Sequence, residues 1–255
     1  MKKIFKILSN RYLVFMPVLL VLVVAQVETY SQLTTSGTFG AAVRLAIPIL
    51  LAGLGGLYSE KTGVVNIGLE GMMIMGTWFG AWGGYTFGAW QGVFIGMLGG
   101  ALFGLRHAIA TVSFQVDHIV SGVAINILAA GVARFLNVIA YKDVQYASST
   151  ASPRIQGDIG IFTMPFLAGG KIRENETFNL LGNIENLDIF LISDFSGLLL
   201  GFISNISYLT LFALALVPIS VLVLWFTPLG LQMRSVGEYP AGSESLGVNV
   251  YLMKY

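Results

Sequence analysis

The sequence contains no cysteine, and only 11% of its 255 residues are charged. The lack of cysteine excludes a disulfide framework, a thiol nucleophile and a thiolate metal site. Soluble domains carry about 25% charged residues, so this chain has too little polar surface to coat a soluble globule. The net charge of +1 excludes the basic field of a nucleic-acid-binding protein, and 55% hydrophobic residues exclude disorder. These proportions predict an integral membrane protein in contact with the lipid bilayer.

Sequence motifs of catalysis are also missing. The chain has no G-x-x-x-x-G-K-[ST] loop for ATP, no H-E-x-x-H zinc helix, no G-x-S-x-G elbow and no G-x-G-x-x-G turn. We therefore expect no enzyme activity, no metal site and no cofactor bound by this chain itself. The absence of catalytic groups favours a protein that moves or holds something.

Long apolar runs predict the fold class. A helix needs about 20 mostly apolar residues to cross a bilayer, because every backbone polar group has to be paired internally. Six runs fit and predict an all-α, polytopic transmembrane helix bundle: Tyr12–Val27, Ala41–Tyr58, Val64–Trp82, Trp90–Ala110, Ile119–Tyr141 and Ser207–Phe226. The first run follows a basic stretch, as in a signal peptide, but no small-residue cleavage site follows it, so we expect an uncleaved span.

The polar stretch from about 142 to 206 is the predicted outer loop. It contains two apolar pieces, Ile159–Ala168 and Phe195–Phe202, which are too short to span a bilayer. We expect both to be re-entrant or surface segments packed on the membrane domain.

Basic residues predict the orientation, because Lys and Arg prefer short cytoplasmic loops. With the N-terminus inside, the short outer loops hold no basic residue. The inner side then holds Lys2, Lys3, Lys6, Arg11, Lys61, Arg106, Arg234 and Lys254. We therefore expect a cytoplasmic N-terminus and, after six crossings, a cytoplasmic segment Thr227–Tyr255.

The fourth predicted span carries glycines four residues apart: Gly92, Gly96, Gly100 and Gly104. Glycines at this spacing form a groove on one helix face, which lets a neighbouring backbone approach closely. The pattern predicts helix packing in a compact bundle and indicates no specific chemistry.

The third and fifth predicted spans contain polar residues that need an explanation inside a membrane. If the third is helical, Asn66 and Glu70 share a face, and a carboxylate within a span is a candidate for function. The alternative is that Glu70 pairs with Arg44 or a loop amide and locks the bundle. The fifth span carries Ser121, Asn126 and Asn137 among small residues, a pattern that suits interhelical hydrogen bonds or a translocation path.

Two histidines, His107 and His118, fall in the short loop between the fourth and fifth predicted spans. Lone histidines eleven residues apart are typical of solvated loop residues rather than of metal ligands.

The segment Thr227–Tyr255 has Pro240 and Gly247, which suit the start and the end of a helix, so we predict a short helix Ala241–Leu246 with Glu244 exposed. Such a helix could dock on a partner, or the segment could be an ordinary connecting loop.

Three stretches, Gly55–Met73, Asp117–Phe135 and Pro228–Val248, closely resemble the permease subunits of bacterial ABC importers in the branched-chain amino acid and simple-sugar superfamily. The run Ser59–Met72, which reads SEKTGVVNIGLEGM, is most similar to the nucleoside-type permeases. The resemblance covers nearly the whole chain except the outer loop. It implies a single permease domain in the bacterial cytoplasmic membrane that translocates a nucleoside-like solute.

The resemblance also implies partners and residue roles. Such permeases pair as two membrane subunits, bind cytoplasmic ATPase subunits that hold ATP and Mg, and accept solute from an extracytoplasmic binding protein. Asn66, Glu70, Ser121 and Asn126 are then expected on or near the substrate path. The segment from about 228 to 248 is expected to couple to the ATPase through Gly230, Arg234, Gly237, Glu238, Pro240, Glu244, Leu246 and Gly247.

The chain departs from the family at two kinds of position. Family members commonly have Asn in place of Tyr239 and a better helix former in place of Gly242. The family also continues with further spans after the coupling segment, so the resemblance implies a chain that is incomplete at its C-terminus. Two alternatives remain: the same machinery for riboflavin or a simple sugar, and a membrane scaffold or fragment that does not transport.

Overall fold

A computed structural model describes Pro17 and residues 35–255, apart from 145–147, 149, 156, 173–174, 188 and 190–191. The first predicted span, Tyr12–Val27, lies outside these described residues except for Pro17. Within them the chain divides into two compact units. The first unit comprises the described residues up to 47 together with 160–212, and the second unit comprises 48–159 and 213–255.

Helices account for most of the described chain. In chain order they are α1 (Ser36–Lys61), α2 (Leu69–Phe87), α3 (Ala89–Ala108), α4 (His118–Ala140), α5 (Leu180–Glu185), α6 (Ile192–Ile203), α7 (Tyr208–Phe226), α8 (Pro228–Glu238), α9 (Pro240–Ser245) and α10 (Val250–Lys254). A π-helical turn, Ile109–Ser113, extends α3. The described part of the outer loop also contains four two-residue strands: β1 (Ile161–Phe162), β2 (Lys171–Ile172), β3 (Asn175–Glu176) and β4 (Ile206–Ser207).

Four helices of the described chain are long and apolar enough to cross a membrane: Ser36–Lys61, Ala89–Ser113, His118–Ala140 and Tyr208–Phe226. They correspond to the second, fourth, fifth and sixth predicted spans. The third prediction is wrong at its start, because α2 begins at Leu69 rather than at Val64. The helix is delayed because Gly63 has a positive φ of 80° and the residues that follow it form an irregular stretch before α2.

The second unit is built around α2, which packs on α3 and α4. Its core consists of Met72, Met75, Phe103 and Ala129. Large apolar side chains such as Leu98, Ile127 and Phe135 instead point outward and are 65–71% exposed. An interior held by a few side chains and an exterior of large apolar groups is the arrangement expected of helices surrounded by lipid.

Glycines set the distance between α2 and α3. A Cβ on Gly92 would stand 2.6 Å from the Cα of Gly84, and one on Gly96 would stand 3.0 Å from the carbonyl oxygen of Gly76. At Gly100 and Gly104 the nearest atoms lie at 3.7 and 3.9 Å, which is ordinary van der Waals contact. The glycine face of α3 therefore touches the glycine-rich helix α2, and the approach is tightest at the α2 C-terminal end.

The first unit contains the short elements of the outer loop. Strand β1 pairs antiparallel with β4, and β2 forms a hairpin with β3. The apolar piece predicted at Phe195–Phe202 lies within α6, whereas Ile159–Ala168 contains β1 and turns and no helix. The small face of α6 packs inward: Ser193 Oγ donates to the carbonyl of Ile184 at 2.9 Å, and a Cβ on Gly201 would stand 2.9 Å from the nitrogen of Gly40.

Candidate functional site

The candidate site is the irregular stretch Val64–Gly68, which we call the helix break. Asn66 shapes it, because its Oδ1 accepts a hydrogen bond from the Gly68 nitrogen at 3.0 Å, closing a local turn. Its Nδ2 lies 3.4 Å from Met72 Sδ. The sequence pattern had suggested a helix face shared by Asn66 and Glu70. In the structure Asn66 belongs instead to the break.

Asn126, on α4, satisfies the backbone that the break leaves open. Its Oδ1 accepts from the nitrogen of Gly71 at 2.8 Å, and its Nδ2 donates to the carbonyl of Ile67 at 3.0 Å. The N-cap of α2 is Gly68, which has no side chain to accept from the first turn. The amide of Asn126 thus acts as an N-cap supplied by another helix.

Close backbone contact makes this arrangement possible. A Cβ on Gly71 would stand 2.7 Å from the carbonyl oxygen of Ile125, and one on Gly122 would stand 2.8 Å from the nitrogen of Gly68. Any side chain at these glycines would push α4 away from the break and lengthen both hydrogen bonds of Asn126. Gly68, Gly71 and Gly122 are not among the predicted path residues, and only the packing of α4 against the break shows that these positions require glycine.

The histidine prediction is wrong for His107, which is only 2% exposed. Its Nδ1 lies 3.0 Å from Ser121 Oγ, so it forms a hydrogen bond within the bundle. His118 accepts a hydrogen bond at Nδ1 from the nitrogen of Val65 at 3.2 Å, which ties the start of α4 to the break. Both rings therefore have structural roles around the break, and no group of three or more His, Asp or Glu in the described ranges could hold a metal ion.

Glu70 lies in the first turn of α2, and its side chain is exposed. Since α2 begins at Leu69, this carboxylate sits at a helix N-terminus, where the helix dipole favours negative charge. The predicted path residues therefore come together around the break, but in different states. Asn66, Ser121 and Asn126 are engaged in hydrogen bonds, whereas the side chain of Glu70 is exposed.

An open cavity of about 500 Å³ lies beside the break. Val65 and Ile67 line it from the break, and Thr111, Gln115 and His118 line it from the α3–α4 connection. Its walls are largely apolar. The four predicted path residues are not among its lining residues, so the cavity adjoins their cluster without including it.

The predicted coupling segment is helical over more of its length than the sequence indicated. Residues 228–238 form α8, where a connection was expected, and the predicted helix Ala241–Leu246 is observed as Pro240–Ser245. Thr227 caps α8 by accepting at Oγ1 from the nitrogen of Gly230 at 3.2 Å. Pro240 occupies the first turn of α9, and Gly247 follows the helix with a φ of 85°.

Side chains of this segment divide into a buried and an exposed set. Gly230 and Val236 are buried, and a Cβ on Gly230 would overlap the carbonyl oxygen of Val223. Glu238 and Glu244 are exposed, and Leu246 is 85% exposed. Leu246 is apolar and highly exposed, and it follows a short helix that carries the carboxylate of Glu244. It is therefore available for contact with another protein.

The same segment touches the chain immediately before the break. A Cβ on Gly237 would overlap the carbonyl oxygen of Lys61, and it would stand 3.1 Å from the nitrogen of Gly63. Near this contact, Arg234 and Lys61 both lie over the ring of Trp225. At the same end of this unit, Ser113 of the α3–α4 connection hydrogen-bonds to Tyr255. The end of α8 and the approach to the break are therefore in backbone contact.

Comparisons with known proteins identify the family. The guanosine ABC transporter permease protein NupQ of Bacillus subtilis is 38% identical over 224 residues, which cover 84% of this chain and 60% of that protein. The nucleoside ABC transporter permease protein NupC of Lactococcus lactis is 31% identical over 217 residues, 82% of this chain and 58% of that protein. The chain thus spans about three fifths of the length of these relatives.

No solved structure matches the chain. The sequence profile described as branched-chain amino acid transport system / permease component matches residues 38–255. This range includes the helix break, α4 and the whole segment from α8 to α10. The chain belongs to this family of transport system permease components.

Proposed function

We propose that the chain is part of the membrane-spanning permease subunit of an ATP-binding cassette importer for a nucleoside-like solute. The names of the relatives, guanosine and nucleoside ABC transporter permeases, support the solute class. The observation that carries the mechanism is the backbone contact of Gly237 with Lys61 and Gly63. It joins the segment available to a partner to the helix break.

The proposed mechanism is alternating access driven from α8 and α9. A cytoplasmic ATPase, which holds ATP and Mg, docks on the exposed residues Glu244 and Leu246. Its closure pushes the end of α8 against the turn at Gly63, and the break transmits the displacement to α4 through Asn126. Because Gly237 has no side chain, a small shift of α8 acts directly on the backbone of Lys61 and not on a flexible side chain.

The substrate path runs beside the break in this proposal. Ser121 and Asn126 hold the shape of the break, Asn66 closes its turn, and the exposed Glu70 faces the path. A weakly polar path of this kind suits an uncharged solute made of a ring and a sugar. The further partners are a second permease subunit and an extracytoplasmic binding protein, in the bacterial cytoplasmic membrane with the N-terminus inside.

The coupling proposal is tested by replacing the exposed docking residues. We expect Glu244→Lys with Leu246→Ala to reduce ATP-dependent guanosine uptake at least about tenfold, which is the effect of losing a small interface hot spot. Uptake is measured in vesicles that contain the protein with its ATPase and binding protein. Leu252→Ala is the matched control, because Leu252 is also exposed, at 67%, but lies beyond the coupling segment.

Three results would contradict parts of the proposal. Unchanged uptake in the double variant, with an intact complex, would remove the docking role of α9. If ribose or riboflavin were taken up in place of guanosine, the proposed transport machinery would stand, but the proposed solute would be wrong. A chain that forms no complex with any ATPase would favour the membrane scaffold.

A further inference from the structure

Two cations share one aromatic ring at the end of α7. Lys61 Nζ lies 5.2 Å from the centroid of the Trp225 ring, and Arg234 Cζ lies 4.7 Å from it. Both positive groups are therefore within about 10 Å of each other, where like charges repel in a partly desolvated environment. The Trp225 ring, whose face attracts cations, holds the two side chains beside each other.

Within the described part of the chain, no carboxylate neutralises this pair. Neither Lys61 nor Arg234 forms an ion pair with a described carboxylate. Glu60 and Glu238 are neighbours of the two cations in sequence, but both are exposed and neither lies within ion-pair distance. Arg234 donates through Nε to the carbonyl of Gly230 at 3.3 Å, which leaves its terminal NH₂ groups for another acceptor.

The position of the pair specifies its surroundings. Trp225 is the penultimate residue of α7, the most apolar of the candidate spans, and its ring is 48% exposed. Tryptophan is enriched where a membrane-spanning helix meets the headgroups. Val221 and Leu222, one turn back on the same face, are 48% and 57% exposed and continue as an apolar surface. The cations thus stand where headgroups lie, above a surface that acyl chains cover.

We propose that Lys61 and Arg234 bind the phosphate of an anionic phospholipid, with its headgroup beside Trp225 and an acyl chain along Val221 and Leu222. Arginine offers a planar fork that matches two phosphate oxygens, and lysine adds a point charge. Basic pockets between membrane helices on the cytoplasmic side bind such headgroups. The assignment to the cytoplasmic leaflet rests on the orientation in the proposed function.

The site also has a consequence for coupling. Lys61 directly precedes the turn at Gly63, and Arg234 lies on α8, three residues before Gly237. A bound phosphate would bridge these two elements beside their backbone contact. The lipid would hold α8 against the approach to the break. An anionic bilayer would therefore strengthen the contact of α8 with Lys61 and Gly63.

The test measures lipid retained by the purified chain. The chain is reconstituted in nanodiscs of equal phosphatidylglycerol and phosphatidylcholine, released, and weighed by native mass spectrometry. We expect phosphatidylglycerol to be retained over phosphatidylcholine by about 30-fold, since the two basic groups each contribute about fivefold. Lys61→Gln with Arg234→Gln should bring this ratio close to that of the bulk lipid.

Arg106→Gln is the matched control. Arg106 also lies over an aromatic ring, 5.3 Å from the centroid of Phe103, but no second cation of the described residues shares that ring. The control should stay close to the wild-type ratio, because it removes one inner-face charge but leaves Lys61 and Arg234 in place. A second readout is the quenching of tryptophan fluorescence by brominated lipids. Brominated phosphatidylglycerol should quench the wild-type chain more than brominated phosphatidylcholine does, and this difference should disappear in Trp225→Phe.

Three results would overturn the proposal. The first is a wild-type chain that shows no preference for phosphatidylglycerol. The second is a double variant that elutes as the folded chain and keeps the preference. The third is displacement of the bound lipid by glycerol phosphate at an equal concentration. The last would assign the site to a soluble phosphate. The measurement needs no ATPase, so a chain that retains the lipid but fails to couple to an ATPase would remove the proposed function and leave this site in place.

Discussion

At the scale of single residues, Asn126 is the most informative side chain in the described structure. The sequence presented it as a polar group among small residues, which left both hydrogen bonding and a translocation path open. In the structure both ends of its amide bind backbone groups of the break. The reason lies in Gly68, because a glycine at the N-cap cannot satisfy the first turn of α2 and a neighbouring helix has to do so.

We expect Asn126→Ala to lower the free energy of unfolding by about 1–3 kcal/mol, because the Gly71 nitrogen and the Ile67 carbonyl lose their partner. Asn126→Asp should lie between alanine and wild type, since a carboxylate still accepts from Gly71 but cannot donate to Ile67. Thermal unfolding in detergent measures the difference.

Gly131→Ala is the control for this series on the same helix. A Cβ there meets no atom within 4 Å, so the substitution should be neutral or slightly stabilising through helix propensity. If Asn126→Ala unfolded at the same temperature as wild type, the cap supplied by α4 would have no energetic role.

At the scale of elements, the coupling segment shows how two departures from the family are related. Tyr239 and Gly242 were each unusual in the sequence, and each on its own weakened the expectation of a helix. The structure brings them together, because a Cβ on Gly242 would overlap the ring of Tyr239. The glycine therefore makes room for the tyrosine, and α9 forms with both in place.

This contact predicts an interaction between the two substitutions. Gly242→Ala alone should gain little, because the Tyr239 ring has to move, whereas in a Tyr239→Asn background it should gain the full propensity difference of about 0.5–1 kcal/mol. Hydrogen exchange at the amides of α9 measures this as roughly two- to fivefold more protection in the double variant than in Tyr239→Asn. Equal effects of Gly242→Ala in both backgrounds would contradict the coupling.

Helix positions could be predicted where hydrophobicity decides them. The second, fourth, fifth and sixth spans were located because long apolar runs have few alternatives to crossing as a helix. The start of α2 could not be found in this way, because Val64 and Val65 are apolar but Gly63, Asn66 and Gly68 favour a turn. His107 was placed in a loop because Arg106 and His107 interrupt the apolar run, whereas its burial depends on the contact with Ser121 of α4.

At the scale of the whole molecule, the second unit gathers its polar connections at one end. The helix break contacts His118, the end of α8 contacts the approach to the break, and Tyr255 contacts the α3–α4 connection. This agrees with the topology predicted from basic residues, in which all three regions are cytoplasmic. The orientation itself stays a prediction.

The absence of cysteine makes that prediction directly testable by single-cysteine labelling. In intact right-side-out cells or vesicles, Thr150→Cys should react with a membrane-impermeant maleimide, because it belongs to the outer loop. Glu60→Cys and Ser245→Cys should react only after permeabilisation. All three positions are exposed, so differences in reactivity report the side of the membrane and not burial.

The cysteine-free parent is the background control, and it should remain unlabelled under both conditions. The reverse pattern of labelling would place the N-terminus outside and move the break and the coupling segment away from the cytoplasm. Labelling of Glu60→Cys alone without permeabilisation would instead show that the number of crossings before it is wrong.

The sequence by itself determined the environment, the family and most of the spans, because low charge, long apolar runs and extended motifs depend on local composition. Only the tertiary structure decided what Asn126, His107 and Trp225 do, because each acts through partners that lie 9 to 164 residues away in the chain. It also decided where α2 begins, since a helix can start at Leu69 only when α4 supplies the cap that Gly68 lacks. Hydrophobicity places helices in a membrane, whereas the hydrogen bonds and close contacts between them arise only when the helices pack.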